Sequence, residues 1–130
     1  MEANKIIITG AATRMGAAIA KKLSGPGVEM IIHYNKSKSE AEKLQKELSK
    51  NKTKVFLVKG DLAKEQDLKK IIKFSKLKLK YFDCLINNAS LFENDSLKNF
   101  SSKSWNQHID VNLKAPAYLT KEFSKNSKGK

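Results

Sequence analysis

Short apolar runs alternate with amphipathic stretches along the chain. The runs cover residues 5–8, 30–32, 55–58 and 82–86. Apolar runs of this length, bounded by polar segments, are typical of strands that are buried on both faces. The stretches between them carry apolar residues at helical spacing. This alternation predicts an α/β domain in which helices cover a doubly wound parallel sheet through right-handed crossovers.

The helices between the strands are predicted from the same periodicity. The first covers residues 15–23 and ends at the Ser-Gly-Pro-Gly turn of residues 24–27. Ser39 and Glu42 have the spacing of a capping box, which predicts the start of the second helix. The inward faces of the second and third helices are predicted to contain Ala41, Leu44, Leu48, Leu68, Ile71 and Ile72.

A polar loop over residues 87–103 precedes the last helix. The predicted buried face of that helix contains Trp105, Ile109, Leu113, Pro116 and Thr120. Because Pro116 lies inside the pattern, we expect a kink or a local break there. The domain is predicted to cover residues 1–124, and the polar tail over residues 125–130 is predicted to be disordered.

Length and composition predict one globular domain, since 130 residues with 40% hydrophobic content can bury one core. No window approaches the roughly 18 apolar residues of a membrane span, and no signal-peptide pattern is present. The lone Cys84 lies in an apolar run. This placement predicts a buried, reduced thiol and a cytoplasmic location.

The formal net charge of +13 suggests a nucleic-acid partner as one hypothesis. However, Arg14 is the sole arginine, and the lysines are spread over the predicted polar faces of the helices. Recognition of bases and phosphates favours arginine forks and interleaved aromatic residues, which this sequence lacks. A solvated surface is therefore the preferred interpretation of the charge.

The first strand leads directly into a glycine-marked turn, Thr9–Gly16, and then into a helical pattern. A strand, turn and helix in this order bring backbone N–H groups and the positive end of the helix dipole to one point, where they stabilise a pyrophosphate. Gly10 would allow the tight turn, and Gly16 would let the helix pack closely on the strand.

Four motifs together resemble those of the short-chain dehydrogenase/reductase family. They are the glycine turn, Asp61-Leu62 after the third strand, Asn87–Ser90 after the fourth, and Val111-Asn112 in the last helix. Their order and spacing match the N-terminal half of a family member over essentially the whole chain. The resemblance implies a Rossmann-type sheet with strand order 3-2-1-4, truncated after the fourth strand and the following helix.

Within that family the chain looks most like the pteridine reductase branch. In that branch an arginine replaces the middle glycine of the turn, as Arg14 does here. The fourth-strand motif also runs on to an aromatic residue, as in Asn88–Phe92, and His33–Ser37 is similar to the branch's segment after the second strand.

The resemblance implies an NADP(H) site. Proteins that prefer NAD have a carboxylate about 20 residues beyond the turn. Residues 34–37 contain no carboxylate, and Lys36, Ser37 and Arg14 could instead bind a 2′-phosphate. Ser37 could alternatively form a capping box with Glu40. The cofactor-binding residues implied by the resemblance are Gly10, Thr13, Arg14, Met15, Gly16, Tyr34, Asn35, Lys36, Ser37, Asp61, Leu62, Asn88, Ala89 and Ser90.

By the same resemblance, Arg14, Ser90 and Phe92 border the substrate. Phe92 could stack on a flat heteroaromatic ring, or it could simply pack in the core under the loop. Asn112 corresponds to the helix asparagine that holds a water in the family's proton relay. Since it lies on an apolar pattern, Asn112 is predicted to have a buried partner.

The family's chemistry also needs a serine on the fifth strand and a tyrosine proton donor with a lysine four residues later. This chain contains the spacing only at Tyr34 and Lys38, which lie on the adenine side and far from any nicotinamide. His33 and His108 are interpreted as structural, and no metal site is predicted.

The predicted function is therefore NADPH-dependent hydride transfer to a small carbonyl or pterin-like substrate, with this chain as the cofactor-binding half. A non-catalytic nucleotide-binding module and an inactive truncated fragment are the alternatives. The resemblance also implies a homo-oligomer in the full-length form, because family members commonly pair through the helix that holds Asn112. No membrane partner is expected.

Overall fold

A four-stranded parallel sheet lies at the centre of the computed structural model, which describes residues 3–128. The strands are β1 (Lys5–Ile8), β2 (Glu29–Tyr34), β3 (Lys54–Lys59) and β4 (Cys84–Ile86), and their order across the sheet is β3-β2-β1-β4. All three pairings are parallel, with Ile7 beside Ile31 on one side and Leu85 on the other. The predicted doubly wound architecture is confirmed.

Helices cover both faces of the sheet. The helices are α1 (Arg14–Leu23), α2 (Lys38–Ser49), α3 (Glu65–Leu79), α4 (Ser102–Ile109) and α5 (Ala115–Asn126). Successive strand residues point to opposite faces. Ile6 and Ile8 accordingly pack in one cluster with Ala20, Leu44 and Leu48 of α1 and α2. Ile7 packs in the other cluster with residues of α3 and α5, among them Leu68, Ile71 and Leu119.

The prediction of which face of the last helix is buried is wrong. Trp105, Ile109 and Leu113 are 60%, 39% and 63% exposed. The physical reason is that α4 does not pack into the core, since none of its residues is buried. A π-helical segment, Asp110–Lys114, follows α4, and the chain packs on the core only from there onward, through Val111, Ala115 and Leu119. The segment ends at Lys114, two residues before Pro116, near which a local break was expected.

Two helix ends differ from the sequence prediction. Helix α2 begins at Lys38 with Ser37 as its N-cap, so Ser39 lies inside the helix and the predicted Ser39–Glu42 box is not formed. Helix α5 continues through Asn126, which contradicts a disordered tail from residue 125. The backbone carbonyl of Asn126 accepts the Phe82 N–H at 3.1 Å, and this contact anchors the end of the helix. Residues 129 and 130 lie outside the described residues.

The edge strand β4 is shorter than predicted, because Phe82 lies outside it in an isolated bridge with Ser127. Cys84 is a free thiol that is only partly buried on this strand. Burial raises the pKa of the Cys84 thiol, and the neighbouring Asp83 carboxylate adds to the effect. Among residues 3–128, no helix is long and apolar enough to span a bilayer.

Candidate functional site

A cleft of about 690 Å³ opens where the strands end and the glycine turn begins. The loops after all four strands contribute to it, as expected for ligand sites in open α/β sheets. Its lining contains Gly10, Thr13, Arg14, Met15, Gly16, His33, Asn35, Lys36, Ser37, Asp61, Leu62, Ala63, Asn88, Ala89, Ser90, Leu91, Glu93, Gln107 and Val111. The cleft thus brings together most residues that the sequence predicted to hold a cofactor.

The two glycines of the turn are required by close packing. Gly10 has φ of +60°, and a Cβ on it would lie 2.8 Å from the Cα of Ala89. A Cβ on Gly16 would lie 2.6 Å from Nδ2 of Asn88 and would also clash with the backbone of the turn. Helix α1 can therefore approach the sheet this closely only with glycine at position 16.

Asn88 ties the loop after β4 to the glycine turn. Its side-chain Nδ2 donates to the backbone carbonyls of Thr9 and Gly10, both at 3.0 Å. The Thr9 hydroxyl accepts the N–H groups of Asn88 and Ala89, both at 3.1 Å. Both amide hydrogens of Asn88 are thus used within the protein, and its side chain positions the backbone that borders the cleft.

The first turn of α1 faces the cleft without a cap. Thr13 is the N-cap but makes no side-chain capping hydrogen bond, and the first turn carries no acidic residue. Its amides and the positive end of the helix dipole are therefore available to an anion.

Arg14 opens this helix with φ of +50°, in the left-handed region that disfavours side chains. Such a conformation costs a non-glycine residue about 1–2 kcal/mol. Its side chain is exposed and lines the cleft.

The loop after β2 forms the cleft wall on the other side of the turn. Asn35, Lys36 and Ser37 line this wall, and it contains no carboxylate. Ser37 is the N-cap of α2, yet its hydroxyl makes no capping hydrogen bond. The alternative of a Ser37–Glu40 capping box is therefore wrong, and the hydroxyl is available to a ligand.

Tyr34 does not line the main cleft. It is 9% exposed and packs with Ala12 and Ala41, although it borders an adjoining depression of about 310 Å³. Lys38 lies on the first turn of α2 and forms an ion pair with Glu42 at 3.8 Å. Tyr34 and Lys38 thus have separate surroundings in spite of their spacing.

Asp61 shapes the loop after β3. Its backbone N–H donates to the carboxylate of Asp67 at 2.7 Å, and its own Oδ1 accepts the Ala63 N–H at 3.0 Å. These bonds turn the chain into α3 and leave Leu62 buried beside the cleft. Asp61 is therefore a turn-forming residue as well as a cleft residue.

His33 is a cleft residue that the sequence reasoning assigned no contact. It is 2% exposed, and its two ring nitrogens bond to the backbone at Gly10 and at Gly60. Burial lowers the pKa of the His33 imidazole. The interpretation of His33 as structural agrees with its burial, but that interpretation missed its position between two walls of the cleft.

Two side chains of the last helical region hold the loop after β4. The Asn112 side chain accepts the Leu91 N–H at 2.7 Å and donates to the Leu91 carbonyl at 2.8 Å. His108 Nε2 accepts the Glu93 N–H at 3.0 Å. The hydrogen-bond partner of Asn112 is thus the exposed backbone of Leu91. The prediction of a buried partner is wrong.

Phe92 lies between these two anchors and is 82% exposed, so its alternative role in core packing is wrong. Neither Phe92 nor Asn112 lines the cleft. Sequence reasoning missed Ala63, Leu91, Glu93, Gln107 and Val111, which reach the cleft from the loops, from α4 and from the π-helical segment. Only their proximity to the Asp61, Asn88 and Asn112 motifs could have indicated them.

Comparison with known proteins agrees with this geometry. The family described as short chain dehydrogenase matches residues 4–130. The chain is 30% identical over 108 residues to the 3-oxoacyl-[acyl-carrier-protein] reductase FabG of Staphylococcus epidermidis, covering 83% of this chain and 44% of the relative. It is 27% identical over 125 residues to a Synechocystis 3-oxoacyl-[acyl-carrier-protein] reductase, and the match covers 96% of this chain and 51% of the relative.

Solved structures give the same result. FolM Alternative dihydrofolate reductase 1 from Brucella canis, complexed with NADP, is 29% identical with a TM-score of 0.84, covering 93% of this chain and 48% of that one. A short chain dehydrogenase from Burkholderia cenocepacia in complex with NADP has a TM-score of 0.90 at 22% identity, and the match covers 95% of this chain and 51% of that one. The chain thus spans about half the length of the relatives it matches, and it belongs to the short-chain dehydrogenase family.

Proposed function

We propose that this chain binds NADP(H) and is the cofactor-binding half of a short-chain oxidoreductase. The observation that carries the proposal is the cleft itself, where an uncapped helix N-terminus, a glycine turn and the loops after all four strands converge. Dinucleotides bind at this end of such sheets, with the pyrophosphate on the helix N-terminus.

Selectivity for the 2′-phosphate follows from the charges around the cleft. Arg14 and Lys36 bring two positive charges to the cleft. The Ser37 hydroxyl makes no capping hydrogen bond and can bind a phosphate oxygen. The loop after β2 has no carboxylate to accept a hydrogen bond from a ribose hydroxyl. Charge-assisted hydrogen bonds to phosphate are the strongest polar contacts available to these side chains. The NADP and NADPH complexes among the structural relatives support the same preference.

The strain at Arg14 supports the proposal independently. Glycine would adopt φ of +50° at no steric cost, whereas arginine adopts it only against a penalty. A strained side chain on the rim of a cleft is a common feature of ligand sites. We assign Arg14 a contact with the cofactor phosphate and the substrate.

Each wall of the cleft has a separate part in holding the cofactor. The amides of residues 10–16 bind the diphosphate, Asp61 and Leu62 border the adenine, and Asn88 to Ser90 border the riboses and the nicotinamide. When bound, the cofactor supplies the hydride. Tyr34 and Lys38 have the Tyr-x-x-x-Lys spacing but do not line the main cleft, so we assign them no part in proton donation.

The substrate class that we propose is a small carbonyl or pterin-like compound. FolM from Brucella canis bears the name of an alternative dihydrofolate reductase, and the FabG relative is named as a 3-oxoacyl reductase. Exposed Phe92 and Ser90 follow β4 on the loop that borders the cleft, where Phe92 is available to stack on a flat ring.

Asn112 acts in this proposal as a positioning residue for that loop. Both atoms of its amide group bond to the Leu91 backbone, which fixes the chain next to Ser90. The contact to a relay water that the family resemblance implies would use the second lone pair of its Oδ1. A cytoplasmic location stays a prediction, with the free Cys84 thiol in keeping with it.

Calorimetric titration of the chain with NADPH and NADH tests the proposal. Two or three charge-assisted contacts to the 2′-phosphate predict that NADPH binds about 10- to 100-fold more tightly. Arg14→Ala and Lys36→Ala should each remove most of that preference. Lys22→Ala is the matched control, because Lys22 is exposed at the far end of α1. Equal or tighter binding of NADH would overturn the cofactor assignment.

A further inference from the structure

We propose that His33 is a positioning residue that holds two walls of the cleft together, and that protonation of its ring weakens nucleotide binding. The inference rests on the proposed function for its ligand. Its geometry is independent of that function.

The imidazole spans from the glycine turn to the loop after β3. The Gly10 N–H donates to Nδ1 at 3.1 Å, and Nε2 lies 2.8 Å from the Gly60 carbonyl oxygen. Nδ1 must therefore carry a lone pair and Nε2 must carry a hydrogen. Only the neutral Nε2–H tautomer of His33 satisfies both contacts.

Both bonded residues lie where a wall of the cleft begins. Gly10 begins the turn with φ of +60°, and Gly60 directly precedes Asp61 and Leu62. The backbone around His33 reinforces the link, since the Ala11 N–H donates to the His33 carbonyl at 3.0 Å. The ring thus sets the spacing between the diphosphate side and the adenine side.

Protonation of the ring would place an N–H at Nδ1, directly opposite the Gly10 N–H. Two donors cannot share that contact, so the turn must move away or the ring must rotate. The charged groups that act on His33 are Asp61 after β3, and Asp67 and Lys70 on α3. The two carboxylates favour the proton and Lys70 opposes it, while burial of the ring is the largest influence and disfavours it.

The sign of the pH effect follows from this balance. Since the folded state lowers the pKa of His33 below 6.5, the ring is neutral at neutral pH and its contribution is fully present there. The contribution is lost as the pH falls below about 6.5 and through the lowered pKa.

Two substitutions separate the two contacts and abolish the titration. His33→Asn places an amide oxygen near the Nδ1 position and can still accept from Gly10, whereas His33→Gln reaches the Nε2 position and can still donate to Gly60. Neither side chain titrates between about pH 5 and pH 8. NADP⁺ is the suitable probe, because NADPH decomposes in acid. The 2′-phosphate of NADP⁺ also titrates in this range, but it affects the wild type and both variants alike.

Calorimetry should show that the NADP⁺ affinity of the wild-type chain falls more steeply between about pH 8 and pH 5 than that of either variant, because only the wild-type side chain gains a proton in this range. At about pH 8, His33→Asn should bind more tightly than His33→Gln, because it keeps the Gly10 contact. Parallel pH profiles for the wild type and both variants would overturn the inference and leave the proposed function intact. No binding of NADP⁺ by the wild type at about pH 8 would overturn both.

A second measurement covers the case in which the variants fold poorly. In the nucleotide-free wild-type chain, the Gly10 amide proton resonance should move upfield as the His33 ring titrates, since its hydrogen bond is lost. The Gly25 amide, which donates to the Thr53 hydroxyl at 2.8 Å, is the internal control and should not follow that transition. A Gly10 resonance that is unaffected by the ring's titration would overturn the inference.

Discussion

Asn112 holds Leu91 by two opposed hydrogen bonds, so that a single helix side chain fixes both backbone groups of one loop residue. The N–H of Leu91 donates to Oδ1 at 2.7 Å, and Nδ2 donates to its carbonyl at 2.8 Å. One helical turn earlier, His108 accepts the N–H of Glu93. The loop is thereby attached to the helix at alternate residues, as a neighbouring strand would be attached.

Replacing Asn112 with Ala should therefore loosen the loop after β4. Loss of two exposed hydrogen bonds predicts destabilisation of about 1–2 kcal/mol in urea unfolding, together with weaker NADP(H) binding. Asn106→Ala is the matched control, because Asn106 is an exposed residue of α4 whose side chain makes no hydrogen bond within residues 3–128. Equal stability of the two variants would contradict the assigned role.

Gly16→Ala tests the close packing of α1 on the sheet. A Cβ there would lie 2.6 Å from Asn88 Nδ2 and would also clash with the backbone of the turn, neither of which can move freely. We expect destabilisation of about 1–3 kcal/mol, measured by urea unfolding. Gly25→Ala is the control, since nothing lies within 4 Å of its Cβ, and it should be neutral or slightly stabilising. Similar losses at both sites would be evidence against the packing argument.

Arg14 should show opposite effects on stability and on binding. Arg14→Gly relieves the left-handed strain, so it should be about 1 kcal/mol more stable than Arg14→Ala, which keeps the strain without the charge. Both variants should lose affinity for NADPH to a similar degree. Thermal unfolding and calorimetry measure the two properties. A glycine variant less stable than the alanine variant would disprove the strain.

The apolar stripe formed by Trp105, Ile109 and Leu113 is predicted to mediate self-association. These side chains are exposed, and Phe100 extends the stripe with its ring 6.3 Å from that of Trp105. Burial of such a stripe is favourable by about 25 cal/mol per Å² of apolar surface. In sedimentation velocity, Leu113→Glu should lower the associated fraction, whereas Leu77→Glu, on a separate exposed site of α3, should not. A wild-type chain that stays monomeric as its concentration rises would contradict this prediction.

The sheet was predictable because its signals are local and agree with one another. Apolar runs such as residues 5–8 and 30–32 are typical of strands buried on both faces of a parallel sheet, and Gly10 and Gly16 mark the turn between β1 and α1. The steric need for those glycines is visible in the contacts with Ala89 and Asn88. Much of the cleft followed from this local pattern.

The last helical region was not predictable by periodicity. The spacing of Ile109 and Leu113 predicts a core-facing helix, but α4 buries no residue, and the chain packs on the core only from the π-helical segment onward. No local residue pattern marks such a turn reliably. The roles of His33 and Asn112 were also hidden, since their partners are backbone groups more than twenty positions away along the chain.

The most direct test of a nucleotide site at the glycine turn is a map of backbone amide chemical shifts in the labelled chain as NADPH is added. We predict that the largest changes occur at residues 10–16 and 35–37, with smaller changes at 61–62 and 88–90. Changes confined to the lysines of α3, or no saturable change in the glycine turn, would contradict the assignment of a dinucleotide to this cleft.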